Sequence, residues 1–343
     1  MLQTLKTIGK EILRDSKTAT FWRNPVKHSI YRWQWNTRPD FQKPGGAPLA
    51  VDLEFSNGCN FRCTMCQQAT GWLKKKDEDF MSWDTLKLAV AQCVSLGVVS
   101  MKVNWRGEPT LDPEVAEKIA YIKSQGIHEV QMNTNASKLT PELCDKLIRS
   151  GLDRIIFSCD GIEKKTYEEI RKGGNFDVFM ENVRTFRQRR NAIDATRWPW
   201  QRKMPTIRIN MAVMDQNRGQ VGQYREFFKD IADEFFFNSV YQPQASDLNK
   251  GQHRTVKRKG CPQIWQRLIV DVHGSVVPCC VDFREKLKMG SVQEDGLKRI
   301  WNEKENAIRA NHVAHRARQL TGCAGCDNFA LSEINEDGEV IWR

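Results

Sequence analysis

The sequence predicts an α/β protein: a parallel sheet of six strand–helix repeats that curls into a barrel, whole or partial, followed by a small domain tied by cysteines. Three observations carry this reading. From Pro48 onward, short apolar runs alternate with helical segments. Three cysteines, Cys59, Cys63 and Cys66, crowd into one stretch after the first of those runs. Four more, Cys261, Cys279, Cys323 and Cys326, gather beyond the last repeat. A length of 343 residues accommodates one large domain and a small one.

Residues 1–47 read as a basic arm. Leu2, Leu5, Ile8, Ile12 and Leu13 recur at helical spacing among Lys6, Lys10 and Arg14, which describes a short amphipathic helix. Such a helix packs on its own protein more often than on a membrane surface, so peripheral membrane contact is not favoured. The aromatic stretch Tyr31–Trp35 leads into Pro44-Gly45-Gly46, a boundary. The barrel is expected over residues 48–245. Its strands fall at Leu49–Phe55, Ser100–Trp105, Glu129–Thr134, Arg154–Cys159, Thr206–Val213 and Glu234–Ser239. Helices fall near Trp83–Gly97, Pro113–Gln125, Pro141–Gly151, Phe176–Ala195 and Gly219–Ile231. Residues 246–343 form the cysteine-bearing domain, where Leu268–His273 and Val276–Pro278 flank Gly274 as a hairpin. In such folds the site lies at the carboxyl ends of the strands.

Eleven cysteines in clusters, with no preceding signal peptide, indicate metal ligation in a reducing compartment more than disulfides. No apolar run approaches the roughly 18 residues of a membrane span, so a cytoplasmic protein is expected. The net charge of +11 gathers in the arm, in Arg184–Arg190, in Lys250–Lys259 and in His315–Arg318. Solvated faces account for such runs; the functional alternative is an anionic partner, namely a nucleotide-linked or phosphorylated small-molecule substrate, an acidic peptide or an anionic membrane surface, and nucleic acid is disfavoured because no binding motif accompanies the charge.

The spacing C-x3-C-x2-C is too tight for three separate elements, so the three thiolates share one loop around one centre. That centre is either zinc with a distant fourth ligand or a [4Fe-4S] cluster with one iron left open. The stretch Cys59–Cys66 resembles the signature of the radical S-adenosylmethionine (SAM) superfamily, which has a partial (β/α)6 TIM-like barrel. The resemblance implies that the open iron chelates SAM, whose reductive cleavage gives a 5′-deoxyadenosyl radical. An external electron donor such as flavodoxin or ferredoxin is then required. Met65 stands where the family usually has an aromatic residue beside the adenine.

Further strand ends extend the resemblance. Arg106-Gly107-Glu108 is similar to the family's Gly-Gly-Glu, with Arg106 for the first glycine, and implies that Gly107 and Glu108 meet the SAM amino group. Asn133-Thr134-Asn135 resembles a Thr-Asn-Gly turn, with Asn135 shaping the pocket and suited to a left-handed backbone. Ser158-Cys159-Asp160-Gly161 is similar to Ser-Leu-Asp-Gly, which implies Ser158 at the SAM ribose or carboxylate. The resemblance also implies that Arg171 pairs with that carboxylate and that Asn210 and Val213 line the adenine pocket, Val213 being equally well explained as core. Cys93, Cys144 and Cys159 sit among apolar neighbours as buried thiols.

The pattern C-x12-G-x4-C from Cys261 to Cys279, closed by Cys323 and Cys326, completes a four-thiolate site for an auxiliary [4Fe-4S] cluster or for structural zinc. It resembles the twitch domain, a shortened SPASM domain. Only Cys280 is left unassigned, so one auxiliary cluster is expected. Twitch architecture occurs in 2-deoxy-scyllo-inosamine dehydrogenase-like carbinol oxidases, and implies oxidation or epimerisation of a sugar-like or cyclitol carbinol. Peptide modification by a SPASM-type maturase is the alternative, and a zinc-stabilised binding protein is the alternative of another class. No residue stands out as the catalytic base; Cys159 and Cys280 are hydrogen-donor candidates for an epimerase.

Overall fold

The computed structural model describes residues 19–71, 78–196, 204–239, 261–324, 326, 332–334 and 340–342. Two helices, α1 (Ala19–Arg23) and α2 (Pro25–Phe41), precede the sheet. The six expected strands follow in order: β1 (Ala50–Leu53), β2 (Ser100–Lys102), β3 (Glu129–Thr134), β4 (Arg154–Ser158), β5 (Thr206–Val213) and β6 (Glu234–Ser239). Each lies parallel beside its predecessor, with Val51 opposite Met101 and Phe157 opposite Ile209. The crossovers are α3 (Trp83–Leu96), α4 (Val115–Ser124), α5 (Pro141–Arg149), the pair α6 (Lys164–Ile170) and α7 (Phe176–Asp194), and α8 (Val221–Phe227). Side chains start them: Ser82 accepts from the Thr85 amide, Thr140 from Leu143 and Asn175 from Val178. Gly97, at φ 72°, ends α3 in the left-handed conformation that a residue without Cβ adopts freely.

The C-terminal segment builds directly on this sheet. After α9 (Gln263–Gln266), β7 (Arg267–Val270) pairs parallel with β1, and β8 (Ser275–Val277) and β9 (Gly290–Ser291) add antiparallel. The nine strands run in the order β6-β5-β4-β3-β2-β1-β7-β8-β9. The expected hairpin around Gly274 is present, and Gly274 turns it at φ 92°. The helical segment α10 (Leu297–Arg299), a π-turn over Ile300–Lys304, and α11 (Glu305–Val313) follow, with Trp301 fully buried. A separate hairpin pairs β10 (Ser332–Ile334) with β11 (Val340–Trp342).

Strand alternation divides the sheet into two faces. Val51, Leu53, Met101, Val103, Ile155, Phe157, Ile207 and Ile209 belong to the buried apolar core with the helices. The residues between them line the barrel interior, and apart from Ile156 they are charged: Asp52, Lys102 and Arg208. Arg154 Nη1 pairs with Glu129 at 2.9 Å, Arg208 Nη2 with Glu234 at 2.6 Å, and Arg267 Nη1 with Asp52 at 3.0 Å.

Part of the N-terminal arm proves to be a plug for the lower mouth of this barrel. Tyr31 of α2 is buried at the starts of β2 and β3, where burial, and then the Glu129 charge, push its phenol up to about 12. The Arg267 guanidinium lies 4.9 Å over the Trp35 ring, and Gln266 Nε2 donates to the Trp35 carbonyl at 2.6 Å. The predicted helix over Leu2–Leu13 lies outside the described residues, as does Lys250–Lys259. Of the remaining basic runs, Arg184–Arg190 is partly spent internally: Arg187 and Arg190 both pair with Asp233, and Arg189 with Asp145. Among the described residues no helix is long and apolar enough to cross a membrane.

The plug has a pH-sensitive contact. His28 of α2 and His128 at the foot of β3 are both buried, Nδ1 to Nε2 at 3.4 Å. Burial, reinforced by His28, pushes the His128 imidazole down to about 4. A depressed group contributes stability that is complete above its unfolded value, roughly 6.5 for histidine, and lost as the pH falls through its folded one. Thermal midpoints measured from pH 7 to pH 4 should therefore fall more steeply in the wild type than in His128→Phe. Parallel curves would show that the contact does not titrate as a unit with folding.

Candidate functional site

The three-cysteine loop leaves β1 and is fastened on three sides. Towards β2, the Glu108 amide donates to Gly58 O at 2.8 Å, and Gln68 Nε2 donates to Asn57 O at 2.7 Å and to Arg106 O at 3.3 Å. Towards α6, the Arg62 and Thr64 amides donate to Lys172 O and Ile170 O at 2.8 and 2.9 Å. Towards β3, Asn135 Nδ2 donates to Asn60 Oδ1 at 3.0 Å. Gly107 is required by packing rather than by its dihedrals: a Cβ there would stand 2.1 Å from Ser56 O and 2.4 Å from Gly58 O.

The thiols of Cys59, Cys63 and Cys66 are half-buried and lie within one another's field. Burial pushes Cys59 up to about 12 and Cys63 up to about 11 in the protonated form; a bound cation reverses this by taking them as thiolates. The Phe61 amide donates to Cys59 Sγ at 3.4 Å, the kind of contact that tunes cluster sulfurs. The second group behaves alike. Cys261 lies in the field of Cys326 and Cys323, and Cys279 in that of Cys261, while the Val281 amide donates to Cys279 Sγ at 3.3 Å. Among the described residues no three His, Cys, Asp or Glu groups close in tightly enough for a single metal ion. Sets of three and of four soft thiolates are donor sets that iron-sulfur clusters take.

The strand-end residues are brought to the same mouth in different states. Glu108 is buried and accepts from Thr110 N and Oγ1 and Thr134 Oγ1 on one oxygen and from the Asn135 amide on the other. Burial pushes this carboxyl up against those donors. A single acceptor position on Oε2 is left for a ligand. Arg171 Nη2 is held by Asp160 at 2.7 Å, while its Nε has no hydrogen-bond partner. Burial lowers this guanidinium and the Asp160 and Cys63 charges more than compensate, so it stays cationic. Asn210 Oδ1 and Asn133 Oδ1 are buried acceptors without a donor, as expected where a polar ligand is to sit. Ser158 pairs with Asn210 across β4 and β5, Met65 is half-buried, and Val213 belongs to the apolar core. The left-handed residue of the β3 turn is Ala136, at φ 62°, and not Asn135, whose side chain instead braces Ser137 and Asn60. Cys93, Cys144 and Cys159 are sealed in the core, where the Cys159 thiol donates to Gly161 O at 3.1 Å.

Several residues were not legible in advance. Arg106 donates through Nε and Nη2 to both Glu54 oxygens at 2.7 and 2.6 Å, and through Nη1 to Phe283 O and Glu285 Oε1 at 3.1 and 2.8 Å. Trp105, 4.0 Å under that guanidinium, donates through Nε1 to Cys280 O at 2.8 Å. Together they bolt the loop after β2 to the loop after Cys279. The only advance signal was an arginine where the resembled motif has glycine. His312 Nε2, 3.7 Å from Cys323 Sγ, gave no signal at all.

Comparison with known proteins agrees with this geometry. The model of the Radical SAM superfamily matches residues 53–194, and that of the SPASM iron-sulfur cluster-binding domain matches residues 261–327. A probable GTP 3′,8-cyclase of Saccharolobus islandicus is 28% identical over 187 residues, 54% of this chain and 55% of that protein. Another, from Methanocaldococcus jannaschii, is 25% identical over 182 residues, 53% of this chain and 55% of that protein. The chain thus spans about half the length of the curated relatives it matches. Among solved structures, BtrN in complex with AdoMet and 2-DOIA gives a TM-score of 0.53 at 18% identity, covering 85% of this chain and 98% of that one. Streptococcus suis SuiB bound to precursor peptide SuiA gives 0.62 at 15% identity, covering 84% and 72%. Native anSMEcpe with bound AdoMet gives 0.57 at 18%, covering 77% and 84%.

Two substitutions test the bracing. Gly107→Ala must push the cysteine loop away and should cost about 1–3 kcal/mol, with loss of iron from the reconstituted protein. Arg106→Met leaves the Glu54 carboxylate buried and unpaired and should cost about 3–5 kcal/mol in denaturant unfolding. Near-neutral values for both would mean that the loops hold their places without these contacts.

Proposed function

Because the chain carries a radical SAM domain over residues 53–194 and an iron-sulfur cluster-binding SPASM domain over residues 261–327, we propose that it oxidises, or else epimerises, a carbinol carbon of a sugar-like or cyclitol substrate. The two domains imply SAM, a SAM-binding [4Fe-4S] cluster and an auxiliary one. When bound, SAM and its cluster supply a hydrogen-abstracting adenosyl radical. Cys59, Cys63 and Cys66 would hold the first cluster, and Cys261, Cys279, Cys323 and Cys326 the second.

One observation carries the reading: Trp105 and Arg106 tie the loop that leads to the SAM site directly to the loop that leaves Cys279. A four-thiolate cluster has no iron free for substrate, so its use beside a radical site is to accept an electron. Fixing the two loops together sets the distance over which that electron moves. Around them, Gly107 and Glu108 shape the SAM amino subsite through backbone and the open Oε2 position. Asn210 and Ser158 offer acceptors and a hydroxyl to the nucleoside. Arg171 orients that edge through its unpartnered Nε, and Asn135 holds the cysteine loop. Met65 and Val213 give the adenine an apolar border.

Support for a small substrate comes from extent. The chain covers 98% of BtrN, a 2-deoxy-scyllo-inosamine dehydrogenase, but 72% of the peptide-bound SuiB. The cyclase relatives align over about half the chain, so they speak to only part of the architecture. A peptide substrate is the second reading, favoured by the higher TM-score of SuiB. An oxygen-sensitive pair of clusters calls for a reducing compartment such as the cytoplasm and for a flavodoxin- or ferredoxin-like donor. The family matches leave the zinc-stabilised binding protein without support.

The division of labour is testable by substitution. Cys63→Ala should abolish 5′-deoxyadenosine formation, whereas Cys326→Ala should retain SAM cleavage and lose product. Equal loss of both activities in folded, reconstituted variants would overturn the assignment. Mass spectrometry of the product separates loss of two hydrogens from an isobaric epimer or a linked peptide.

A further inference from the structure

Lys102 closes β2, and its flanking residues settle where it points. Met101 and Val103 are fully buried in the core against the helices, so the alternating residue between them faces the barrel interior. It is half-buried there, above the mouth that Tyr31 and α2 close from below. Across the register it stands opposite Asp52 of β1. That carboxylate is already committed to Arg267 of β7 at 3.0 Å. Among the described residues no carboxylate lies within 4.0 Å of Lys102, which sets it apart from the other interior cations: Arg154, Arg208 and Arg267 all have one.

The remaining neighbour gives the position its meaning. Lys102 feels the charge of Cys280, whose carbonyl is gripped by Trp105 and which directly follows Cys279. The amine therefore faces the interior on the side of the auxiliary cysteines, three residues before the Trp105-Arg106 clamp. The charged groups that face it are Asp52 from β1, Arg267 from β7 and Cys280 from the loop after β8. Burial, reinforced by Arg267, outweighs the Asp52 and Cys280 charges and lowers the amine from its ordinary range, the direction a lysine base requires.

We propose that Lys102 is the base of the reaction: its Nζ takes the hydroxyl proton of the substrate carbinol. The inference rests on the oxidation reading above. The carbinol carbon loses its hydrogen atom to the 5′-carbon of the adenosyl radical, which becomes 5′-deoxyadenosine. The hydroxyl proton passes to Lys102, forming an ammonium. The resulting substrate radical anion loses one electron to the oxidised auxiliary cluster, and the carbon–oxygen bond becomes a carbonyl. One hydrogen atom, one proton and one electron leave, so the substrate is oxidised by two electrons.

Two measurements on anaerobically reconstituted holoenzyme test this. Competitive acetylation across pH, read peptide by peptide by mass spectrometry, needs no substrate: Lys102 should react with a lower midpoint than exposed Lys27. A midpoint equal to that of Lys27 overturns the proposal. The second uses a panel of free cyclitols and amino sugars with wild type, Lys102→Met, Lys102→Ala and Lys102→Arg. Lys102→Met should still release 5′-deoxyadenosine while carbonyl product falls at least about 100-fold and the acidic limb of the pH profile disappears. Methylamine should restore product to Lys102→Ala, and Lys102→Arg should not recover it. Product formation by Lys102→Met within threefold of wild type, on an unchanged pH profile, overturns the base alone. A wild type that forms no carbonyl from any carbinol overturns the oxidation reading and the base with it.

Discussion

The buried pairing of Arg106 with Glu54 is the contact on which the arrangement of this protein depends. Glu54 follows the first strand and Arg106 the second, so their fork-to-fork hydrogen bonds fix the loops that carry Cys59–Cys66 and Gly107-Glu108 relative to one another. The same guanidinium reaches Phe283 and Glu285 beyond Cys279. A planar group with five donors can satisfy three acceptors in two directions at once, which a lysine ammonium cannot match in geometry. Buried charge of this kind adds little net stability, because desolvation offsets attraction. Its contribution is to exclude other arrangements of the loops.

Around that pair the site is held by backbone contacts at close range. Gly107 brings β2's loop against the Ser56 and Gly58 carbonyls, and Gly173, at φ 93°, lets the turn after α6 reach Phe61. Contact excludes a Cβ at Gly107 and the left-handed backbone disfavours one at Gly173, so the sequence cost of both is glycine. The acidic residue next to Gly107 is a strut. Glu108 gathers Thr110, Thr134 and the Asn135 amide, tying the second strand end to the third. Pre-organisation of this sort keeps a cofactor site from rearranging when charge moves through it.

The barrel interior is unusual in the opposite way. Its lower half is a lattice of charges, Arg154 with Glu129 and Glu234, Arg208 with Glu234, and Arg267 with Asp52, sealed beneath by Tyr31 and Trp35. An apolar filling would have given a firmer core. A polar one instead ties strands together through fixed pairs.

Much was decided by the sequence alone. Six strands, their helices, the hairpin around Gly274 and both cysteine groups were legible because each rests on local periodicity or spacing, and neighbours in sequence carry those signals. Cys93, Cys144 and Cys159 were read as buried for the same reason. What tertiary structure alone decided is which residues meet. Arg106 looked like a flaw in a motif until Glu54 and Glu285 stood around it; Arg171 met Asp160; the left-handed position fell on Ala136 and not Asn135; and the arm became a plug. These pairings join residues far apart in the chain, and their partners are set only when strand order and register are fixed. No local pattern encodes them, because the free energy that selects them is that of burial and charge pairing in the assembled barrel.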